Sequence, residues 1–392
     1  MTPVLSGNWS YPTKIWHGPG TMTRLAEACG QAGIARPVLV TDSGLRESGM
    51  IIRAMQLFEL ADLKPVLFSD VQGNPTGANV ENGLAAYRAG NCDGVVAVGG
   101  GSALDIGKCV AFMRAQTRPI WDFEDVGDWW TRANAEGIAP IVAIPTTAGT
   151  GSEVGRAAVV TDQGSREKKI IFHPLMLPKV VISDPELSVG LPPKLTAWTG
   201  MDALAHCLEA YCAPGFHPMA DGIAVEGVRL IADHLPTAVL DGADIEARSR
   251  MLAAASMGAA AFQKGLGAVH SISHPVGALY DTHHGLTNGV VLPYVLLFNR
   301  PAIEERMAYL AVALGLPGGD FDAMLEWLLA FRSNLHVPHS LADLGVEEAR
   351  ADELAEKALR DPSTGGNPVP MTVADFRRVI LAAIRGDLGL GG

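Results

Sequence analysis

The sequence predicts a two-part chain: a doubly wound α/β domain over residues 1–190, then an all-helical domain over residues 191–392. Three observations lead there. Short apolar runs alternate with helical patterns through the first half, strand-like runs become scarce after Leu191-Pro-Pro193, and 392 residues leave room for two cores.

In the first half, residues 37–41 (Pro-Val-Leu-Val-Thr), 65–69 (Pro-Val-Leu-Phe-Ser), 94–98 (Gly-Val-Val-Ala-Val), 140–144 (Pro-Ile-Val-Ala-Ile) and 179–183 (Lys-Val-Val-Ile-Ser) are continuous apolar runs of strand length. Strands apolar on both faces belong in a parallel sheet covered by helices on each side. Residues 76–90 and 103–115 carry helical spacing between these runs, which completes the alternation of a Rossmann-like domain. In the second half, residues 223–235, 247–262, 302–314, 321–331 and 373–384 read as helices. Thr372, three residues before Asp375, suits the start of the last one, since its hydroxyl can accept from first-turn amides. The stretch Asp361-Pro-Ser-Thr-Gly-Gly-Asn-Pro-Val-Pro370 reads as an ordinary loop by its turn residues.

Composition narrows the function. A hydrophobic share of 48% marks an ordered globular chain. A formal net charge of −12, without runs of like charge, argues against nucleic acid or an anionic membrane as a partner. No apolar run approaches the roughly 20 residues of a membrane span, and residues 1–10 lack a signal-peptide pattern. The five cysteines are odd in number and form no C-x-x-C pair, so reduced thiols in a cytoplasmic protein are expected.

The chemistry-bearing residues cluster in the second half. Gly200-Met-Asp-Ala-Leu-Ala-His206 places Asp202 and His206 at i, i+4, on one helical face. Residues 269–285 then supply His270, His274, His283 and His284, a concentration unusual in a chain with only 11 histidines. Leu195, Trp198, Met201, Leu204, Ala205 and Leu208 surround the first pair with apolar side chains, so its helix is expected to be buried. A buried carboxylate must be paired or metal-bound. A plain Asp–His pair is one reading. The other is a divalent transition-metal centre made of Asp202, His206, His270 and His284, whose oxygen and nitrogen ligands suit Fe(II) or Zn(II). Pro275 is expected to break the helix between His270 and His274, letting the two point apart.

Two strand exits in the first half suit a nucleotide. Gly99-Gly-Gly-Ser102 follows one strand and opens a helix, where glycines permit close approach and first-turn amides favour a pyrophosphate. Ser102 can cap that helix and donate to a phosphate. The second exit, Pro145-Thr-Thr-Ala-Gly-Thr-Gly-Ser152, is dense in hydroxyls. Asp42 ends another strand, where a carboxylate can accept from an adenosine ribose hydroxyl and would repel a 2′-phosphate. That position favours NAD over NADP, unless Asp42 merely caps a turn.

Together these segments resemble the iron-containing (group III) alcohol dehydrogenase family over nearly the whole chain. The marks are Gly99-Gly-Gly-Ser-Ala-Leu-Asp-Ile-Gly-Lys108, Pro145-Thr-Thr-Ala-Gly-Thr150, Gly200-Met-Asp-Ala-Leu-Ala-His206, and His270-x3-His274-Pro-x8-His284-Gly285. The resemblance implies an NAD-binding α/β domain and a helical metal domain across a cleft from it. It implies Asp202, His206, His270 and His284 as metal ligands, and His274 as a non-ligand histidine near the nicotinamide that relays the proton. It implies Asn74, Gly100, Gly101, Ser102, Thr146, Thr147 and Lys168 as cofactor contacts, and a homodimer or higher homo-oligomer.

The expected reaction is reversible hydride transfer between NAD and a primary alcohol or aldehyde, or a small hydroxy acid or semialdehyde. Metal coordination would lower the hydroxyl pKa. Ala157, Ala261 and Phe262 are expected along the substrate pocket. A metal- and NAD-dependent lyase resembling dehydroquinate synthase is the nearest rival, but it needs several cations converging on the metal, and only Lys264 lies within residues 265–290 or beside them. A metal-free reductase resembling maleylacetate reductases is disfavoured by the intact Asp/His set, as is a silent NAD-binding scaffold.

Overall fold

A computed structural model describes residues 10–389 apart from Pro12 and Arg166. The chain divides into two compact units, one spanning Tyr11–Leu191 and the other running from Pro192 onward.

The first unit is a parallel sheet of six strands with helices on both faces. Its elements are β1 (Lys14–His17), α1 (Leu25–Ala32), β2 (Pro37–Asp42), α2 (Gly49–Leu60), β3 (Val66–Val71), α3 (Gly77–Ala89), β4 (Gly94–Gly99), α4 (Gly101–Met113), β5 (Ile141–Pro145), β6 (Ala157–Asp162), β7 (Glu167–Phe172) and β8 (Val180–Ser183). Strand order is β1-β8-β5-β4-β2-β3, while β6 and β7 form a separate antiparallel hairpin. The period of two along each strand sorts its side chains between two cores. Val38, Val40 and Val95 pack with Leu84, Ile106 and Val110 of α3 and α4 on one face. Leu39, Val96 and Val98 pack with Leu25, Ile51 and Phe58 of α1 and α2 on the other. The five apolar runs of the sequence thus become β2, β3, β4, β5 and β8. The edge strand β1, mostly exposed, and the hairpin β6–β7 were not expected; the hairpin's short apolar stretches at 157–160 and 170–172 were passed over, although Ala158, Val160 and Ile171 are buried in the core.

The chain leaves β2 for β3 on one side and β4 for β5 on the other, so the winding direction reverses between β2 and β4. Ligands of open parallel sheets bind at the carboxyl ends of strands at such a reversal. Asp42 and Gly99 are the last residues of these two strands.

The second unit is helical: α5 (Pro193–Cys212), α6 (Pro218–Leu240), α7 (Ile245–Ala261), α8 (Ala268–Tyr280), α9 (His284–Ala313), α10 (Phe321–Asn334), α11 (Ala351–Arg360) and α12 (Val373–Arg385). Helix α5 is buried along most of its length and packs against α6, α7 and α9. Thr372 and Asp375 make the reciprocal capping bonds expected at the start of α12.

Two expectations need correction. Helix α8 runs straight through Pro275 instead of breaking there. The residue before a proline is only biased away from helix, and burial of α8 from Ala268 to Gly277 outweighs that bias. Ser102 does not cap α4: the cap position is Gly100, which offers no side chain, and Ser102 lies inside the first turn.

Candidate metal and cofactor sites

Helix α5 carries Asp202 and His206 on one face, both nearly inaccessible to solvent. Helix α8 brings His270, also buried, and the first residue of α9 is His284. Ligand atoms of Asp202, His206 and His270 all lie within 4.8 Å of one another. A single oxygen, Asp202 Oδ1, stands 3.9 Å from His206 Nε2, 3.9 Å from His270 Nε2 and 3.5 Å from His284 Nε2. Four donors about 2.1 Å from a tetrahedrally bound ion would lie ~3.4 Å apart, so these separations fit a first-row cation after small adjustment. The donor set is three imidazole nitrogens and one carboxylate, with no thiolate. Of the four side chains, His284 is the most open, 24% exposed.

Close helix packing makes this convergence possible. Gly285 of α9 lies against α5, where an added Cβ would collide with the Trp198 carbonyl oxygen and come within 2.9 Å of Asp202 Cβ. One turn on, a Cβ on Gly289 would meet Met201 Cβ at 3.2 Å. Small residues at i, i+4 therefore let α9 approach α5 closely enough for His284 to reach Asp202. His283 does different work: its Nδ1 accepts from the Leu286 amide as the cap of α9, and its ring lies 5.1 Å from that of Trp198.

Carboxylates hold two of the imidazoles from behind. His270 Nδ1 donates to Glu209 Oε2 at 2.5 Å, while Glu209 Oε1 accepts from the Val269 amide at 2.7 Å. Burial alone would lower the His270 pKa, but the charges of Glu209 and Asp202 outweigh it and raise the value. The hydrogen bond to Glu209 places a proton on Nδ1, and in the neutral ring that leaves Nε2 as a lone-pair donor, the arrangement metal-binding histidines commonly use. His274 Nδ1 donates to Asp361 Oδ2 at 2.7 Å. Its ring stacks on that of His284 with centroids 5.3 Å apart. Although α8 does not break, His270 and His274 turn to different carboxylates and so serve different directions.

Glu209 and Asp361 were missed in the sequence. Glu209 sits three residues after His206 on α5, a spacing that could have flagged it. Asp361 opens the stretch 361–370, which proves to be part of the site and not an ordinary loop. Besides Asp361 it supplies Thr364, whose hydroxyl pairs with Ser271 at 2.8 Å, and Asn367, which accepts from the Ala268 amide at 3.1 Å. Turn residues reveal a loop but not what its side chains will meet.

In the sheet unit, Asp42 Oδ1 accepts from the Leu45 amide at 3.0 Å and so does cap a turn. Its other oxygen is 3.2 Å from where a Gly99 Cβ would stand. Burial raises its pKa despite backbone hydrogen bonds that work the other way. The two glycine-bearing exits form one structure. The Thr146 amide donates to Gly99 O at 3.0 Å, a Cβ on Gly100 would touch Thr147 at 3.4 Å, and one on Gly101 would press Thr150 at 2.5 Å. Asp105 and Lys108 staple them from behind. Asp105 accepts from Ser152 Oγ at 2.5 Å and from the Val159 amide at 2.9 Å. The buried Lys108 ammonium lies 3.2 Å from Asp105 Oδ1 and donates to the Ser152 and Ala157 carbonyls. Asn74 adopts a left-handed conformation, φ 51°, in the turn after β3. That turn meets the hairpin: Thr161 donates to Pro75 O at 2.8 Å and pairs across the strands with Lys168. The neighbouring Lys169 is held by Glu124 at 3.3 Å and Asp162 at 3.7 Å.

The fold and the residues together describe an oxidoreductase that joins a nucleotide-binding sheet to a helical cation-binding bundle. Comparison with known proteins makes the assignment: the model of the iron-containing alcohol dehydrogenases matches residues 12–185, and that of the family's C-terminal domain matches residues 196–384. The chain belongs to the iron-containing alcohol dehydrogenase family. It is 41% identical to a 4-hydroxybutyrate dehydrogenase from Cupriavidus necator, over 94% of this chain and 98% of that one. It is 36% identical to an NAD-dependent methanol dehydrogenase from Bacillus methanolicus, over 96% of this chain and all of the other. A crystal structure of a 1,3-propanediol oxidoreductase superposes with a TM-score of 0.91 at 34% identity, covering 97% of this chain and 100% of that one. The protein is a metal-dependent oxidoreductase acting on CH–OH donors.

Proposed function

We propose that the protein is an NAD-linked dehydrogenase of small primary alcohols or hydroxy acids, with a divalent iron or zinc ion held by Asp202, His206, His270 and His284. The observation that carries this reading is the convergence of three imidazole Nε2 atoms on one buried carboxylate oxygen within 3.9 Å. An ion there would supply Lewis acidity that eases loss of the substrate's hydroxyl proton, and a bound NAD would supply the hydride acceptor.

The chain's own residues do the rest. With the His274 Nδ1 proton committed to Asp361, Nε2 is left to accept a proton, which fits a relay. Phe262, whose ring lies 5.1 Å from that of His206, offers an apolar wall beside the centre. Asp42, Asn74, Gly100, Gly101, Ser102, Thr146, Thr147 and Lys168 are the proposed cofactor contacts. The place of Asp42 and Gly99 at the winding reversal supports a dinucleotide there, and the half-buried acid supports NAD over NADP. Two relatives, at 41% and 36% identity, act on 4-hydroxybutyrate and methanol by their names, which supports an unbranched substrate with a terminal hydroxyl. Lyase chemistry is disfavoured because Lys264 is spent on Asp221, at 2.5 Å, and on the Tyr211 carbonyl. Five buried, free cysteines support a reducing, cytoplasmic setting. No helix among the described residues is long and apolar enough to cross a membrane. A homo-oligomer is proposed from family likeness.

The test is NADH formation by iron- or zinc-loaded protein across a panel of terminal alcohols and ω-hydroxy acids. Turnover is expected, with at least a thousandfold loss in Asp202→Asn. No turnover on any member, or activity indifferent to that substitution, would contradict the proposal.

A further inference from the structure

Asn288 is a buried polar side chain in the middle of the site that the proposed ligand set does not use. It lies one turn after His284 on α9, so both face α5. Its amide nitrogen is 2.7 Å from Asp202 Oδ1, 3.2 Å from His284 Nε2 and 3.3 Å from His270 Nε2. One NH2 group has two hydrogens and cannot serve three acceptors. Meanwhile Asn288 Oδ1, buried with the rest, has no hydrogen-bond partner among the described residues. Turning the amide over would set its oxygen against the Asp202 carboxylate, two acceptors face to face, so the observed orientation is the one chemistry requires.

A residue needed only to fill space here would be apolar, since a buried carbonyl left unpaired is costly. The chain accepts that cost and aims a neutral donor at the one anionic group of the cluster. Its backbone is held as well. Pro293 cannot donate to the Gly289 carbonyl one turn back, and the buried Arg332 guanidinium fills in, donating to the Val290 carbonyl at 2.9 Å and reaching that of Gly289 at 3.5 Å.

We propose that Asn288 is a positioning residue of the metal centre: from outside the ligand set, its amide fixes the Asp202 carboxylate and so sets how tightly the ion is held. This rests on the metal reading above. When His270 and His284 give their Nε2 lone pairs to the ion, the amide keeps Asp202 Oδ1, the shortest of its three contacts.

The test compares wild type with Asn288→Leu, similar in volume but without a donor. Zn(II) affinity is measured by competition with a chromophoric chelator, and the visible spectrum is recorded with Co(II) in place of Zn(II). The expected result is a 10- to 100-fold weaker Kd with displaced Co(II) bands. An affinity within threefold of wild type and an unmoved Co(II) spectrum would overturn the proposal while leaving the metal site standing. Wild type that binds no Zn(II) would overturn the metal reading and this inference with it. Should Asn288→Leu not fold, Asn288→Ser carries the same test. Its hydroxyl stands one bond nearer the backbone and cannot span to Asp202, so the same loss is expected, and an unchanged affinity is again the contrary result.

Discussion

Asp361 shows how much one side chain in this protein depends on its neighbours. Burial by itself would push its carboxyl up, yet the charge and hydrogen bond of His274, with help from Ser363, hold it below the usual carboxylate range. A carboxyl depressed on folding contributes stability that is fully present above its unfolded value, about 3.9, and is lost as pH falls through the lower folded one. Asp361→Asn is therefore expected to lower the urea midpoint at neutral pH, with the deficit against wild type closing as pH drops below about 4. Denaturant titrations at a series of pH values check this, and a deficit constant from neutral to acid would contradict it. Glu209 plays a parallel part for His270, at 2.5 Å. Neither acid stands out in the sequence, because a carboxylate that will sit behind a histidine looks like any other until the fold brings the two together.

Among the elements, α9 brings the most to the site. Its cap His283, its first residue His284, and Gly285, Asn288 and Gly289 within two turns all bear on α5. Replacing Gly285 by alanine would drive a methyl into the Trp198 carbonyl and against Asp202 Cβ. Forcing α9 outward should destabilise the helical unit by about 1–3 kcal/mol and weaken Zn(II) binding at least tenfold. Thermal unfolding with chelator competition measures both, and a variant as stable and as tight as wild type would contradict the packing account. The helices were legible as a period of 3.6, and the converging side chains as an unusual density of histidines. The glycines were not read as a contact surface, since a glycine betrays close approach only once its neighbour is known. Pro275 misled for a related reason: local bias argues for a break, and burial of the helix around it decides otherwise.

Over the whole molecule, the α/β and helical units could be read from the sequence because each writes its period plainly. Strands buried on both faces are unbroken apolar runs, whereas the exposed β1 leaves no such trace and β6 and β7 leave only short ones, at 157–160 and 170–172, with charged or polar residues beside them. The loops after β4 and β5 were each readable as phosphate-friendly. Their fusion through Asp105 and Lys108 was not, because those two look like an ordinary helical i, i+3 ion pair. The proposed chemistry needs a cation lodged where α5, α8 and α9 converge. Anomalous diffraction from crystals of iron- or zinc-loaded protein tests it most directly. One strong peak at the metal's absorption edge, within bonding distance of Asp202, His206, His270 and His284, is the expected result. A peak elsewhere, or none among these four side chains in protein shown to carry metal, would contradict it.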